Sequence, residues 1–143
     1  METFKYFAAY VFLLCSNLSI GQTLEFSIHD HHFVVLSTIV KNEWNTKDTL
    51  QELYRVENNY KKLLLKFYPY KDEGSDCNNF FWNKEKMTIK NDSLIFITHY
   101  FQKTKLDPIP EWRKQIYIVK PNGKLTLLYD KYKYYHSTKW VNK

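Results

Sequence analysis

The sequence predicts an all-β protein built from two four-stranded antiparallel repeat units, and two matches within the chain carry that prediction. A run that begins at Phe26 aligns without a gap with one that begins at Met87, and hydrophobic residues match along both. Further on, 53–56 matches 116–119, and each is followed by a polar turn, a lysine and a pair of leucines. An internal repeat of this kind indicates the architecture before any single strand is assigned.

Composition supports the same fold class. Beyond residue 21 the chain contains no alanine, and its only glycines are Gly74 and Gly123. Branched and aromatic residues, which fit the pleated surface of a sheet, make up much of the remainder. We therefore expect residues 22–143 to form a single β domain.

The first unit, about 23–68, contains four predicted strands. Alternating Leu24, Phe26 and Ile28 mark the first strand, and Pro69 is expected to end the fourth because proline has no N–H to pair. The four strands lie at about 23–28, 32–41, 51–57 and 60–68.

The second unit, about 85–134, repeats this rhythm. Its polar turns at 91–93 and 121–123 contain Asn and Gly, which accept the positive φ angles of tight hairpins. The predicted strands lie at about 85–90, 94–103, 113–120 and 124–134. A closed eight-stranded barrel or a two-sheet sandwich would bury the apolar faces of both units.

One stretch, 47–67, also fits a helix. Apolar residues recur there near helical spacing, and Thr49 with Glu52 resembles a capping box. The aligned stretch in the second unit contains Pro121 in its middle, which excludes a continuous helix. We therefore predict a hairpin and keep an α+β fold with one helix at 47–67 as the alternative.

The N-terminus resembles a targeting segment. Lys5 precedes an apolar run at 6–14, which is too short to span a bilayer as a helix, and 19–21 supplies small residues at the cleavage positions. We predict a signal peptide at 1–21, export to the periplasm or the medium, and no transmembrane segment in the mature chain. A lipid anchor at Cys15 is the rival prediction, but Leu14 stands where lipidation usually requires a small residue.

The candidate binding surface is defined by aromatic residues. In a meander, successive connections alternate between the two ends of the strands, so the longer connections share one end. All four tryptophans lie in or beside these connections, and such rings commonly anchor interfaces or stack on sugars. The predicted binding residues are Trp44, Trp82, Trp112, Trp140 and Tyr70. The alternative is that these large rings seal the open end of a barrel or sandwich, and the two roles can coexist.

Histidines form a second candidate. His29 and His31 flank Asp30, a combination that metal sites use. The aligned segment 90–93 is an ordinary polar turn, so we expect a solvated turn and no metal. His99, on an apolar strand, is expected in the core.

Charge and motifs narrow the function further. The chain carries a net charge of +6, and Arg55 and Arg113 are its only arginines. Scattered lysines without arginine clusters do not favour nucleic-acid binding, and no catalytic or cofactor motif is present. We expect a small exported binding or interaction module, without cofactor, for a small molecule, glycan or protein. The alternatives are a secreted hydrolase with its site at the same end and an inhibitor or immunity-like protein.

Cleavage of the signal peptide is directly testable. Mass spectrometry of the protein from its native host should find Gln22, or its cyclised form, at the N-terminus, because 19–21 provides the small residues that signal peptidase requires. An intact Met1 on exported protein would contradict this prediction.

Overall fold

The computed structural model describes residues 20–43, 45–76, 79–102 and 110–142. These residues form one antiparallel sheet of eight strands, arranged in the order in which they occur in the chain. The strands are β1 (Ile20–Ile28), β2 (His31–Lys41), β3 (Lys47–Glu57), β4 (Tyr60–Asp76), β5 (Asn79–Lys90), β6 (Ser93–Gln102), β7 (Trp112–Val119) and β8 (Leu125–Lys133). The predicted all-β class is confirmed. Of the predicted signal peptide at 1–21, residues 1–19, including Cys15, lie outside the described residues, and the rest is part of β1.

The alternative helix at 47–67 is wrong. That stretch forms β3 and the first part of β4, joined at Asn58 and Asn59, whose φ angles are 45° and 66°. Two consecutive positive φ angles build a type I′ hairpin turn and cannot occur inside a right-handed helix. The apolar spacing that resembles a helix instead brings Leu53 opposite both Val35 and Leu65 across the sheet.

The short turns gather at one end of the strands. His29 and Asp30, with φ angles of 50° and 62°, form the β1–β2 turn, and Gly123, with a φ of 75°, closes the β7–β8 turn. In the latter, the Gly123 N–H donates to the Lys120 carbonyl over 2.8 Å. We call this the short-turn end, and we call the opposite end, where the longer β2–β3 and β6–β7 connections lie, the long-loop end.

β4 changes its pairing partner midway. It pairs with β3 up to Tyr70 and with β5 from Lys71 onward. The prediction that Pro69 ends this strand is wrong, because Tyr68 and Pro69 together lie opposite Leu50 in a β-bulge. A bulge accommodates proline, since the extra residue does not need its N–H for the ladder.

The sheet folds over on itself. In a flat sheet β2 and β7 would lie about 24 Å apart. However, the His31 Nε2–H donates to the Pro121 carbonyl over 2.9 Å, and Arg55 Nη1 donates to the Asn122 carbonyl over 3.3 Å. The half made of β1–β3 and the start of β4 therefore faces the half made of β5–β8.

The predicted closed barrel is wrong. β1 and β8 are the two edges of the sheet, and among the described strands every pairing joins consecutive strands only. The apolar faces are covered by folding the sheet over rather than by joining its edges. The result is a single hydrogen-bonded sheet whose two halves share β4.

The core lies between the two halves. Phe33, Leu53 and Leu94 are fully buried, and the Phe67 and Phe96 rings meet edge to face at 5.1 Å. The buried cluster contains Ile28, Phe33, Val35, Leu53, Phe67, Leu94, Phe96 and Val119. The consecutive apolar residues at 94–97 suggest a strand that is buried on both faces. In the structure only one face is buried in this core, because Ile95 and Ile97 point away from it and are half-buried.

A carboxylate holds the bulge in β4. The Tyr68 N–H, displaced from the ladder, donates to Glu85 Oε2 over 3.1 Å, while the Thr98 hydroxyl donates to Glu85 Oε1 over 2.9 Å. Thr98 is buried. Glu85 thus ties the point where β4 leaves β3 to the second half.

Replacement of Glu85 should destabilise the protein, because this carboxylate holds the β4 bulge. Gln at this position presents an NH₂ group to one of the two donors, so one N–H or O–H loses its acceptor. Glu85→Gln should cost about 1–3 kcal/mol of unfolding free energy, measured by urea denaturation. Lys86→Gln, on the same strand but exposed, should stay within about 0.5 kcal/mol of the parent. Equal losses in both variants would contradict the role given to Glu85.

Candidate functional site

The structure describes four of the five predicted binding residues, and Trp44 lies outside the described residues. Trp82 is near the start of β5, Trp112 begins β7, and Trp140 precedes Val141, which bridges to Tyr132 of β8. All three tryptophans lie at the long-loop end. Tyr70 lies there too, on β4, two residues before the pairing partner of Trp82.

Two of the tryptophans belong to a continuous row of rings that crosses β5, β6 and β7. Trp82 stacks on Phe101 with centroids 5.0 Å apart, and Trp112 stacks on His99 with centroids 3.8 Å apart. His99 and Phe101 also meet at 3.8 Å. We call Trp82, Phe101, His99 and Trp112 the aromatic row. Neither Phe101 nor His99 is among the predicted binding residues.

The aromatic row lies on the side of the sheet that faces away from the core. Leu94, Phe96 and Thr98 of β6 are buried between the halves, so the alternate residues of this strand project outward. The expectation that His99 occupies the core is therefore wrong. Strict alternation along 93–102 is the sequence signal that would have placed His99 and Phe101 together on the other face.

Isoleucines and lysines continue this surface. The pairing register places Ile95 opposite Ile116 in the middle of the face, and both are half-buried. We call the outward side of β5–β8 the outer face. Besides the aromatic row it contains Lys84, Lys86, Lys90, Ile95, Ile97, Lys114, Ile116, Ile118, Tyr129, Lys131 and Lys133.

The outer face has an uneven charge distribution. Lys114 and Lys131 lie directly opposite each other on β7 and β8, and their ammonium groups are 5.9 and 5.4 Å from the centre of the same Tyr129 ring. Within the described part of β5–β8, the carboxylates of Glu85 and Asp130 point to the inner side, where Asp130 accepts two hydrogen bonds from Arg113 at 2.8 and 2.6 Å. The described outward side of these strands therefore presents lysines without a carboxylate of its own, and Glu111, just before β7, is a carboxylate near His99 at the end of this surface.

The outward side of the first half provides a comparison within the same chain. There Glu52 accepts hydrogen bonds from Lys66 at 2.9 Å and from the Tyr54 hydroxyl at 2.8 Å. The hydrogen bond from Lys66 lowers the pKa of Glu52, and that from Tyr54 lowers it further. Here an acid and a base on facing strands neutralise each other, in contrast to the facing Lys114 and Lys131 of the outer face.

The aromatic row perturbs one titratable group. Burial lowers the pKa of His99, and Lys84 lowers it further, while Glu111, just before β7, opposes the shift. His99 is therefore neutral at pH 7. On the inner side, burial raises the pKa of both Tyr100 and Tyr132, which keeps these hydroxyls protonated.

The two histidines considered for a metal site take separate partners. His29 Nε2 lies 4.0 Å from Asp92 Oδ2, whereas His31 donates to the Pro121 carbonyl. The β1–β2 turn separates their side chains, so they do not point the same way along one strand. Among the described residues, no group of three or more His, Cys, Asp or Glu side chains is arranged to hold a metal ion.

Comparison with known proteins identifies no relative: no protein-family model, curated protein or solved structure matches the chain. In the part of the chain that the structure describes, no helix is long and apolar enough to span a membrane.

The environment of His99 can be tested by NMR titration. The pKa of His99 should lie below 6.5, because burial against Trp112 disfavours the charged ring. Trp112→Ala uncovers the ring and should move the midpoint up towards 6.5. Between the pKa of His99 in the folded protein and that in the unfolded chain, the unfolded chain binds more protons. The stability that His99 contributes should therefore be present above this interval and be lost as the pH falls through it. An unshifted His99 in the parent protein would contradict the stacked arrangement.

Proposed function

We propose that this protein is an exported interaction module that binds an acidic protein partner through the outer face of β5–β8. The observation that carries the proposal is the composition of that face, with half-buried isoleucines in the middle, the aromatic row at the long-loop end, lysines around them and no carboxylate on the described outward side of the strands. An apolar centre with a polar rim is the usual anatomy of a protein interface.

The aromatic row provides rigid anchoring groups. Trp112 and His99 are stacked nearly parallel, at an interplanar angle of 6°, and Trp82 and Phe101 at 5°. Because these rings already restrain one another, a partner that packs on them loses little additional side-chain entropy. Tryptophan is also among the residues that contribute most to binding energy at interfaces.

Electrostatics indicates the charge of the partner. Lys114 and Lys131 are direct cross-strand neighbours, an arrangement that destabilises a sheet by about 0.2–1 kcal/mol when the charges are alike. An acidic rim on a partner would relieve this repulsion. The lysine side chains would then contribute to both attraction and association rate.

Other ligand classes fit this face less well. Arg113 is held by Asp130 on the inner side, so the face offers no planar fork for phosphate recognition. Glycan sites usually place hydrogen-bonding groups beside the aromatic rings, whereas Ile95 and Ile116 occupy the middle here. The proposal includes the case in which this protein is an inhibitor or immunity-like protein and its partner is an enzyme with an acidic site.

We also infer that β1–β2 and β5–β6 are equivalent hairpins. The gapless alignment matches Phe33 with Leu94, which are both fully buried, and the buried hydroxyl residue Ser37 with Thr98. The alignment of 53–56 with 116–119 agrees less well with burial. It matches Leu53, which points into the core, with Ile116, which points outward. Burial thus supports the repeat for the first hairpin of each unit and not for the second.

Site-specific photo-crosslinking tests the proposed interface. A benzoylphenylalanine at Ile116, in cells of the native host, should capture one protein with an acidic surface. The same group at Ile39, an apolar residue of the first half that is 50% exposed, should not capture it.

Charge reversal at Lys131 separates binding from folding. Lys131→Glu places a carboxylate opposite Lys114, so it should preserve or slightly raise the unfolding midpoint while eliminating the crosslink. Lys41→Glu, an exposed change on β2, should leave the crosslink intact. A product that forms equally from Ile39, or that survives Lys131→Glu, would overturn the proposal. So would binding to anionic lipid vesicles or to acidic polysaccharide beads in place of a protein.

A further inference from the structure

A cleft of about 510 Å³ opens at the short-turn end, between the start of β4 and the β7–β8 hairpin. It exists because β4 pairs with β3 up to Tyr70, whereas β5 joins β4 only from Lys71 onward. A second bulge, at Leu64, lies in the β4 wall. We call this space the tip cleft. It opens on the inner side of the sheet, away from the outer face.

The walls of the tip cleft are apolar near the core. Leu64, Leu65, Tyr117 and Leu125 line it, and each also packs against the buried cluster. They are half-buried. A ligand with an apolar portion would therefore extend the hydrophobic core and remove these side chains from water.

The same cleft is lined by basic groups. Arg55, Lys62 and Lys124 contribute to its walls, from β3, β4 and the β7–β8 turn. Glu57 pairs with Arg55 Nη2 at 2.7 Å. Even with this carboxylate, the charge around the cleft is positive and favours an anion.

Arg55 is held in place through its two terminal nitrogens, whereas its Nε–H has no partner in the part of the chain that the structure describes. Its Nη1 donates to the Asn122 carbonyl over 3.3 Å, whereas its buried Nε has no hydrogen-bond partner among the described residues. Its guanidinium packs directly on Gly123, where a Cβ would lie 2.5 Å from Nη1. A buried N–H without a partner is costly, so an acceptor that reached it would bind favourably.

We propose that the tip cleft binds an alkyl carboxylate, with the chain against the leucines and Tyr117 and the carboxylate beside Arg55, Lys62 and Lys124. The volume is in the range of small-ligand sites. Apolar and cationic walls within one cleft fit an amphiphilic anion better than either a neutral lipid or a polar anion alone.

Calorimetric titration with octanoate, decanoate and dodecanoate, each kept below its micellar concentration, tests this proposal. Binding should be saturable at one ligand per chain. Affinity should rise by up to about fourfold per methylene, which corresponds to about 0.8 kcal/mol per buried CH₂. Dodecanol and dodecylamine should bind at least about tenfold more weakly than dodecanoate, because they lack the anion. Equal binding of the alcohol or the amine, or no saturable binding, would overturn the proposal. Dodecyl phosphate binding more tightly than dodecanoate would assign the cleft to alkyl phosphates instead.

Two neighbouring lysines provide a matched pair of variants. Lys61 and Lys62 are both exposed on β4, but only Lys62 lines the cleft. Lys62→Glu should weaken dodecanoate binding about five- to tenfold, and Lys124→Glu should act likewise, whereas Lys61→Glu should leave it unchanged. Since all three positions are on the surface, the fold should be retained. Equal weakening by Lys61→Glu would show attraction by net charge alone and would overturn the site.

Discussion

The bend in β4 is the feature on which the rest of the structure depends. At Tyr68 and Pro69 the strand inserts an extra residue, leaves β3 and goes on to pair with β5. The displaced Tyr68 N–H needs an acceptor, and Glu85 supplies it from the other half. Without this satisfied bulge, the sheet would have no place to fold over, and the buried cluster between its halves would not form.

Folding over has consequences for both candidate sites. Each half buries one face against the other, which leaves the outward faces of both halves in solvent. On the first half, Glu52 and Lys66 neutralise each other, whereas the outer face of the second half keeps lysines beside Ile95 and Ile116 without a carboxylate. The tip cleft arises from the same bend, because the two halves separate where β5 does not accompany the start of β4. Both proposed sites are thus products of one backbone feature.

The strands themselves could be predicted from local sequence, since alternation and turn chemistry act over a few residues. Asn58 and Asn59 form the turn that excludes a helix at 47–67, and Gly123 closes the last hairpin. The end of the sheet at which the tryptophans lie also followed from the meander, because connections alternate between ends. The pairing of β4 on either side of the bulge could not be predicted from the sequence. Proline can end a strand or sit in a bulge, and the outcome depends on whether an acceptor such as Glu85 reaches the displaced N–H of Tyr68.

The sequence by itself determined the all-β class, the order of the eight strands and the end of the sheet at which the described tryptophans lie, because these depend on neighbours along the chain. Only the tertiary structure decided that the sheet folds over rather than closes. It also decided that Arg55 meets the β7–β8 turn beside a cleft. These features depend on which distant strands face each other, and alternation along one strand carries no information about that choice.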